Sequence, residues 1–221
     1  MAFRLGLFPL NVVLFPGTPL PLHIFEPRYR RLLSDCLESD RRFGITLASN
    51  EREIPASGAV GCVAEVRSSD LLPDGRSNII VLGRVRFTVR DVVADPAPYH
   101  VALVEEFDDL PDTTPPAELL RELREQFAGY YATLRQLHDA PPEELRLTED
   151  PVPLTFAIAA AIECDAAIKQ RLLATRSTLE RARLLLQLLP TLTATTERAL
   201  RVHRRAHTNG KGLHTLPPFD L

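Results

Sequence analysis

The apolar positions of this chain change their period part-way along it. Up to about residue 107 they come in short runs separated by Gly, Pro and Asp, and beyond residue 117 they recur at helical spacing. Phe3–Leu7 predicts a first strand. Asn11–Phe15 and Leu20–Phe25 predict two more, joined by a tight turn at Pro16-Gly17. Pro9, Pro16, Pro19 and Pro21 forbid one long helix here, because each fixes φ and removes a backbone donor. Pro27 then takes a first helical position behind Glu26, whose charge suits the positive end of the helix dipole. Tyr29, Leu32, Leu33, Cys36 and Leu37 follow at i, i+3, i+4, i+7 and i+8, the buried stripe of an amphipathic helix.

Phe43–Ala48 reads as a strand, residues 50–57 as a polar loop, and Gly58–Arg67 as a strand bent or bulged near Gly58 and Gly61. Leu72–Arg76 is a turn, which predicts a hairpin of Cys62–Ser68 with Ser77–Leu82. Gly83 is expected to separate that strand from the next. In Arg84–Arg90 strict alternation sets Val85, Phe87 and Val89 on one face and Arg84, Arg86, Thr88 and Arg90 on the other. Asp95–Pro98 makes a turn before a last strand at Tyr99–Phe107. Several short strands with a single helix predict a curled sheet or small barrel.

Composition shifts at Asp108–Pro116, an acidic, proline-rich piece that is the clearest boundary in the chain and is expected to be exposed. Ala117–Leu137 then places Leu120, Leu123, Phe127, Tyr130, Tyr131 and Leu134 at helical spacing. His138–Pro153 holds four prolines and reads as an irregular connection. Leu154–Cys164 is a short, nearly all-apolar helix suited to a core. Asp165 caps a helix over Ala166–Ala174 with Lys169, Gln170 and Arg171 exposed. Ser177 and Glu180 form a capping box for a longer helix, which Pro190 should kink or end. A further helix spans Glu197–Ala206, and Thr208–Leu221 is a loose tail.

Length and composition narrow the class. With 221 residues, 45% apolar, the chain is long enough for a sizeable core. A net charge of −3 gives no global attraction for nucleic acid or membrane. Of 26 basic residues only Lys169 and Lys211 are lysine, a bias of a GC-rich genome and a weak pointer to phosphate binding. The three cysteines, Cys36, Cys62 and Cys164, have no zinc-type spacing and read as core thiols of a reducing, cytoplasmic compartment. No apolar run approaches a membrane span, and the prolines at 9 and 16 break any signal-peptide core.

Candidate chemistry is sparse. There is no GxxxxGK[ST] phosphate loop, and neither Lys169, on an exposed helix face, nor Lys211, in the tail, suits a Ser–Lys dyad, which needs a buried lysine. His203 and His207 lie at i and i+4, but Arg204 and Arg205 between them oppose a cation, so no metal or other cofactor is expected. His23 and His100 alternate with apolar neighbours. Glu105, Glu106, Asp108, Asp109 and Asp112 read as a solvated acidic loop. Arg84, Arg86 and Arg90, with Arg76 nearby, could form an RNA-binding stripe, although no aromatics interleave with them for base stacking. Arg198, Arg201, Arg204, Arg205 and Lys211 make a second basic patch, read as surface.

Leu7–Arg30 (LFPLNVVLFPGTPLPLHIFEPRYR) resembles the opening of the Lon N-terminal, or substrate-binding, domain family, whose pattern is "lPLFPL…VLFPG…LPLhIFEpRYr". Leu72–Val89 resembles its "LPDGr.nilv.G..Rf.v" segment. Pro153-Leu154, Ile158–Ala160, Lys169–Ala174, Ser177–Arg181 and Leu184–Leu189 follow its helical part, so the likeness covers about residues 4–190. It departs at Ile162–Asp165, where the family tends to leucine. The resemblance implies an α+β fold: a PUA-like β-barrel-type subdomain with one helix at 1–110, a helical subdomain at 111–207, and the tail at 208–221. It implies a non-catalytic module that binds unfolded or tagged polypeptide, with any protease or chaperone supplied in trans. The alternative is an RNA-binding PUA-like protein. The candidate binding residues are the apolar ones around the proline turn, Phe15, Pro16, Leu20, Leu22 and Phe25; some of Phe15, Pro16 and Leu20 are expected to reach the surface, and Leu22 and Phe25 to lie in the core.

Overall fold

The long strand Ser77–Val93 is the element on which the others assemble. The computed structural model describes residues 1–48, 55–111, 113–141 and 145–209, with the side chains of 206–209 excepted. Polar loop 50–57 falls largely outside these residues, as do Asp112, Lys211 and most of the expected tail. The described elements are β1 (Ala2–Leu10), β2 (Pro19–Ile24), α1 (Pro27–Leu37), β3 (Arg42–Leu47), β4 (Val60–Leu71), β5 (Ser77–Val93), β6 (Val101–Glu106), α2 (Ala117–Leu137), α3 (Pro151–Ala161), α4 (Ala166–Ala174) and α5 (Thr178–Asn209). The sheet order is β2-β5-β4-β3-β1-β6, and β5 also pairs with β6, which closes five strands into a barrel. The length of β5 makes this possible. Its first part, Ser77–Leu82, pairs with β2, and its second, from Phe87 to Val93, pairs with β6.

Helix α1 starts at Pro27 as expected, and its buried face is Tyr29, Leu32, Leu33 and Cys36. That face packs with Phe8, Phe43, Ile45 and Val81 of the sheet. A second cluster, including Leu7, Phe87 and Val104, fills the barrel. The helices bury a third, built from Leu123, Phe127 and Tyr130 of α2, Phe156 and Ile158 of α3, and Leu185 and Leu189 of α5.

Several expectations are corrected. Asn11–Phe15 is not a strand: β1 has already ended at Leu10, and the next strand begins at Pro19. The segment is instead bent so that consecutive side chains enter different cores, Leu14 the α1–sheet cluster and Phe15 the helical one. Gly83 does not separate two strands but lies inside β5. A side chain there would put Cβ 2.0 Å from the Phe15 carbonyl oxygen. Its absence lets the turn dock, with Gly17 N–H donating to the Gly83 carbonyl at 2.9 Å and Gly83 N–H to the Thr18 carbonyl at 3.0 Å.

The alternation in Arg84–Arg90 is broken as well. Ala64 faces Gly83 and Cys62 faces Arg86, so β5 carries an extra residue there, a β-bulge. Val85 turns out to solvent, while Arg86 is 4% exposed under the helices. Finally, of the two outcomes expected at Pro190, a kink or an end, the end is overturned: α5 continues from Thr178 to Asn209 with Pro190 inside it. Residues on both sides of Pro190 hold it. Leu189 and Leu200 are buried, and beyond them Arg204 donates to Gln136 at the end of α2. That packing outweighs the ~3 kcal/mol local cost of an interior proline. Helix α3 also starts earlier than expected, with Pro151 in its first turn behind the Asp150 cap.

Segment 108–116 crosses between sheet and helices but is not a free tether. Leu110 N–H donates to the Arg176 carbonyl at 2.9 Å, and Leu179 N–H to the Thr113 carbonyl at 2.8 Å. Within the segment, Asp109 leaves the expected solvated cluster to form a buried network. Arg181 grips it in a bidentate pair at 3.0 and 2.9 Å. Arg86 reaches the same carboxylate at 2.5 Å and also donates to the Leu173 and Thr175 carbonyls, at 2.7 and 3.0 Å. The Arg181 guanidinium lies 3.9 Å from the centre of the Phe156 ring. Barrel, connection and helices therefore meet at one carboxylate.

Cys36 and Cys62 are core thiols, as expected, and burial pushes each up to about 12. At neutral pH both are protonated and enclosed, so iodoacetamide should leave them unlabelled in the native protein and reach them only on unfolding. Mass spectrometry of alkylated peptides reads this directly. Native labelling at the rate seen in denaturant would contradict it.

Candidate functional site

Of the five candidate residues, the structure exposes one strongly. Phe25 is 59% exposed, just beyond the end of β2. Pro16, Leu20 and Leu22 are half-buried, and the two leucines pack against the α1–sheet cluster. Phe15 does not face solvent; it is fully buried and lies 6.2 Å, ring to ring, from Phe156. Strand alternation explains the split, because β2 sends Leu20, Leu22 and Ile24 inward and leaves Pro19, Pro21 and His23 outside.

The outer side of β2 continues across its neighbours. Register sets Pro21 opposite Ile80 and Ile80 opposite Ser68; the next row is His23, Asn78 and Asp70. Ile80 is 47% exposed. His23 Nδ1 lies 2.8 Å from Asn78 Oδ1, which can only accept, so His23 donates there and its ring is held. The rings of His23 and Phe25 are near-parallel, 6.1 Å apart at 24°. Together Pro21, His23, Asn78, Ile80, Ser68 and Asp70 border a shallow groove of about 390 Å³. Sequence reasoning missed Ile80 and His23 in this role. The Ile79-Ile80-Val81 run held the signal: one residue of three consecutive apolar ones in a strand must face outward.

The chemistry elsewhere is that of structural pairing. A larger cleft of about 530 Å³ beside α1 is rimmed by Arg4, Asp95, Asp35 and Tyr99. There Tyr99 donates to Asp35 at 2.8 Å; burial and that carboxylate raise its phenol to about 12. The expected basic stripe dissolves. Arg76 pairs with Asp74 at 2.6 Å, Arg84 with Glu65 at 3.1 Å and Arg90 with Glu105, while Arg86 is buried. Lys169 is not on an exposed face: it is half-buried, burial lowers its pKa, and its Nζ donates to the Ala160 carbonyl at 2.9 Å. That contact holds the end of α3. Gln170 is likewise half-buried, donating to the Val60 carbonyl at 2.8 Å. His203 meets Asp139 at 3.0 Å, whereas the side chain of His207 lies outside the described residues. Among the described residues no group of three or more His, Cys, Asp or Glu is placed to hold a metal.

The family model for the substrate-binding domain of the ATP-dependent protease La (LON) matches residues 4–191. The chain belongs to the LON substrate-binding domain family. It is 28% identical to a Lon protease of Cytophaga hutchinsonii, over 90% of this chain and 25% of that protein. It is 33% identical to one from Xanthomonas oryzae, over 83% of this chain and 22% of the relative. The chain thus spans about a quarter of these relatives. In fold it is similar to a Lon N-terminal domain protein from Xanthomonas campestris, with TM-score 0.62 and 24% identity over 84% of this chain and 98% of the other. The N-terminal domain of the Mycobacterium avium complex Lon protease aligns with TM-score 0.62 and 18% identity, over 85% and 98%. The LON domain here is therefore the α+β fold of those structures, a mixed six-stranded sheet with helices. No helix among the described residues is long and apolar enough to cross a membrane.

Proposed function

We propose that this LON domain is a non-catalytic polypeptide-binding module that takes extended apolar segments across the outer side of β2 and the adjoining β4–β5 hairpin. One observation carries the reading: Pro21 and Ile80 are exposed side by side at a groove, beside a held histidine whose ring faces the exposed Phe25. Apolar area of this kind, edged by polar groups, fits a sequence-tolerant peptide surface. Pro16, Leu20 and Leu22 would support it from the flank and from beneath, while Phe15 acts only through the core. Segment 108–116 would mark the division between a barrel subdomain and a helical one, and a protease or chaperone acting in trans, in the cytoplasm, would receive what is bound. The pairing of Arg76, Arg84 and Arg90 with carboxylates and the burial of Arg86 count against the RNA alternative.

The test is binding of fluorescent unfolded casein by purified protein. Phe25→Ser and Ile80→Ser should each weaken it by about tenfold, because a buried large apolar side chain contributes about 1.5–3 kcal/mol. Both variants should melt with wild type, and neither ATP nor casein should be hydrolysed. Unchanged binding in both variants would remove the groove. Absence of casein binding together with an RNA shift at low salt would replace the reading altogether.

A further inference from the structure

We infer that the bound polypeptide is gripped through its side chains and is not added to β2 as a further strand. This rests on the peptide-binding reading above and specifies its mode. β2 lies at the end of the sheet order, pairing with β5 on one side and with no strand on the other among the described residues. Such an edge is normally an open template for a peptide strand. Here the direction of each backbone group can be assigned. The Thr18 carbonyl accepts from Gly83 N–H at 3.0 Å, so it points toward β5. Backbone groups alternate along a strand, so Leu20, Leu22 and Ile24 also address β5, and Pro19, Pro21 and His23 address the free edge.

Two of those three edge positions are prolines and have no N–H to give. Within β2 His23 alone supplies a donor along the free edge, and just past Phe25 the chain turns into α1, where the Glu26 carbonyl is engaged by Tyr29 and Arg30. The carbonyls of Pro19, Pro21 and His23 can still accept along this edge, but with one donor among three positions the ladder it offers a strand is incomplete. The outer side of β2 nevertheless exposes Pro21, His23 and Phe25, so what remains for recognition is side-chain contact. The groove's one carboxylate is the exposed Asp70, and no lysine or arginine lines it. The occupant that fits is an extended apolar segment flanked by basic residues.

The experiment uses a short peptide rich in leucine and phenylalanine with lysines at its ends, and the same peptide N-methylated at alternate backbone positions. Side-chain capture predicts affinities within about twofold of one another; strand addition predicts a loss of about tenfold or more, since each net backbone hydrogen bond contributes about 1 kcal/mol. In a Pro19→Val/Pro21→Val variant, which restores two edge donors, discrimination against the methylated peptide should appear. A glutamate-ended peptide should bind wild type about threefold more weakly, in the range of an exposed charge pair. Tenfold discrimination by wild type would overturn the side-chain mode and leave peptide binding standing. No discrimination by the double variant would overturn the role of the prolines, and equal binding of lysine- and glutamate-ended peptides would overturn the charge preference. If none of the peptides binds, the peptide-binding reading falls, and this inference with it.

Discussion

Asp109→Ala is expected to destabilise the protein by about 3–5 kcal/mol, the range for breaking a buried ion pair and leaving charge behind. Here two guanidiniums would be left. Arg181 is fully buried and Arg86 nearly so, and both close their hydrogen bonding on this carboxylate. The Leu173, Thr175 and Thr155 contacts would remain but cannot neutralise either charge. Asp109→Asn should cost less, because one amide oxygen still accepts. Denaturant unfolding at neutral pH, compared at equal m, measures the difference; a midpoint equal to wild type would show that the network contributes nothing. Acid supplies a second reading. Burial pushes the Asp109 carboxyl up, but the Arg181 hydrogen bonds and the charges of Arg181 and Arg86 outweigh it and hold the carboxyl below its usual range. A carboxylate lowered in the folded state stabilises above its unfolded pKa of about 3.9 and loses that contribution as pH falls through the folded value. The gap between wild type and Asp109→Ala should therefore be full at neutral pH and shrink below about pH 4.

Phe15→Ser is expected to cost about 4 kcal/mol or more, with Phe25→Ser, ten residues on in the same motif, costing under about 1. Phe15 fills a site among the helices against Phe156, while its carbonyl sits over Gly83 of β5. Serine would leave a cavity and put a hydroxyl in apolar surroundings. Because Leu14 is anchored in the neighbouring core, the segment cannot slide to close the gap. Thermal melts of the two variants make the comparison. Equal, small losses would mean that Phe15 is not the plug between the barrel and the helices.

Much of this was readable from local pattern. Pro27 opening a helix with Tyr29, Leu32, Leu33 and Cys36 buried depends on a fixed φ and a helical period, both properties of neighbouring residues. The same holds for Ala117–Leu137, where the expected and observed bounds coincide, and for the hairpin at Leu72–Arg76. Their determinants lie within a few residues of one another, and the tertiary structure adds to them without opposing them.

The candidate site was legible only as a neighbourhood. Proline spacing and apolar density marked Phe15–Phe25, but which side chains reach solvent follows from strand parity, and β2 turns Leu20 and Leu22 inward and Pro21 outward. Its partner Ile80 lies far along the chain and arrives only through the register of β5. The misread residues share a cause. Arg86 alternates like a surface residue, yet the end of α4 and the rings of Phe107 and Phe156 cover it; Asp109 sits in an acidic run, yet two arginines from distant segments close on it. Pro190 should break a helix, yet packing on both sides carries α5 through it. Sequence by itself determined the family, the change from strands to helices along the chain and the neighbourhood of most elements, since these rest on period, turn chemistry and backbone restriction. Tertiary structure decided which charges are buried, which apolar residues are exposed and where a strong local signal is overruled, because each depends on contacts between segments far apart in the chain.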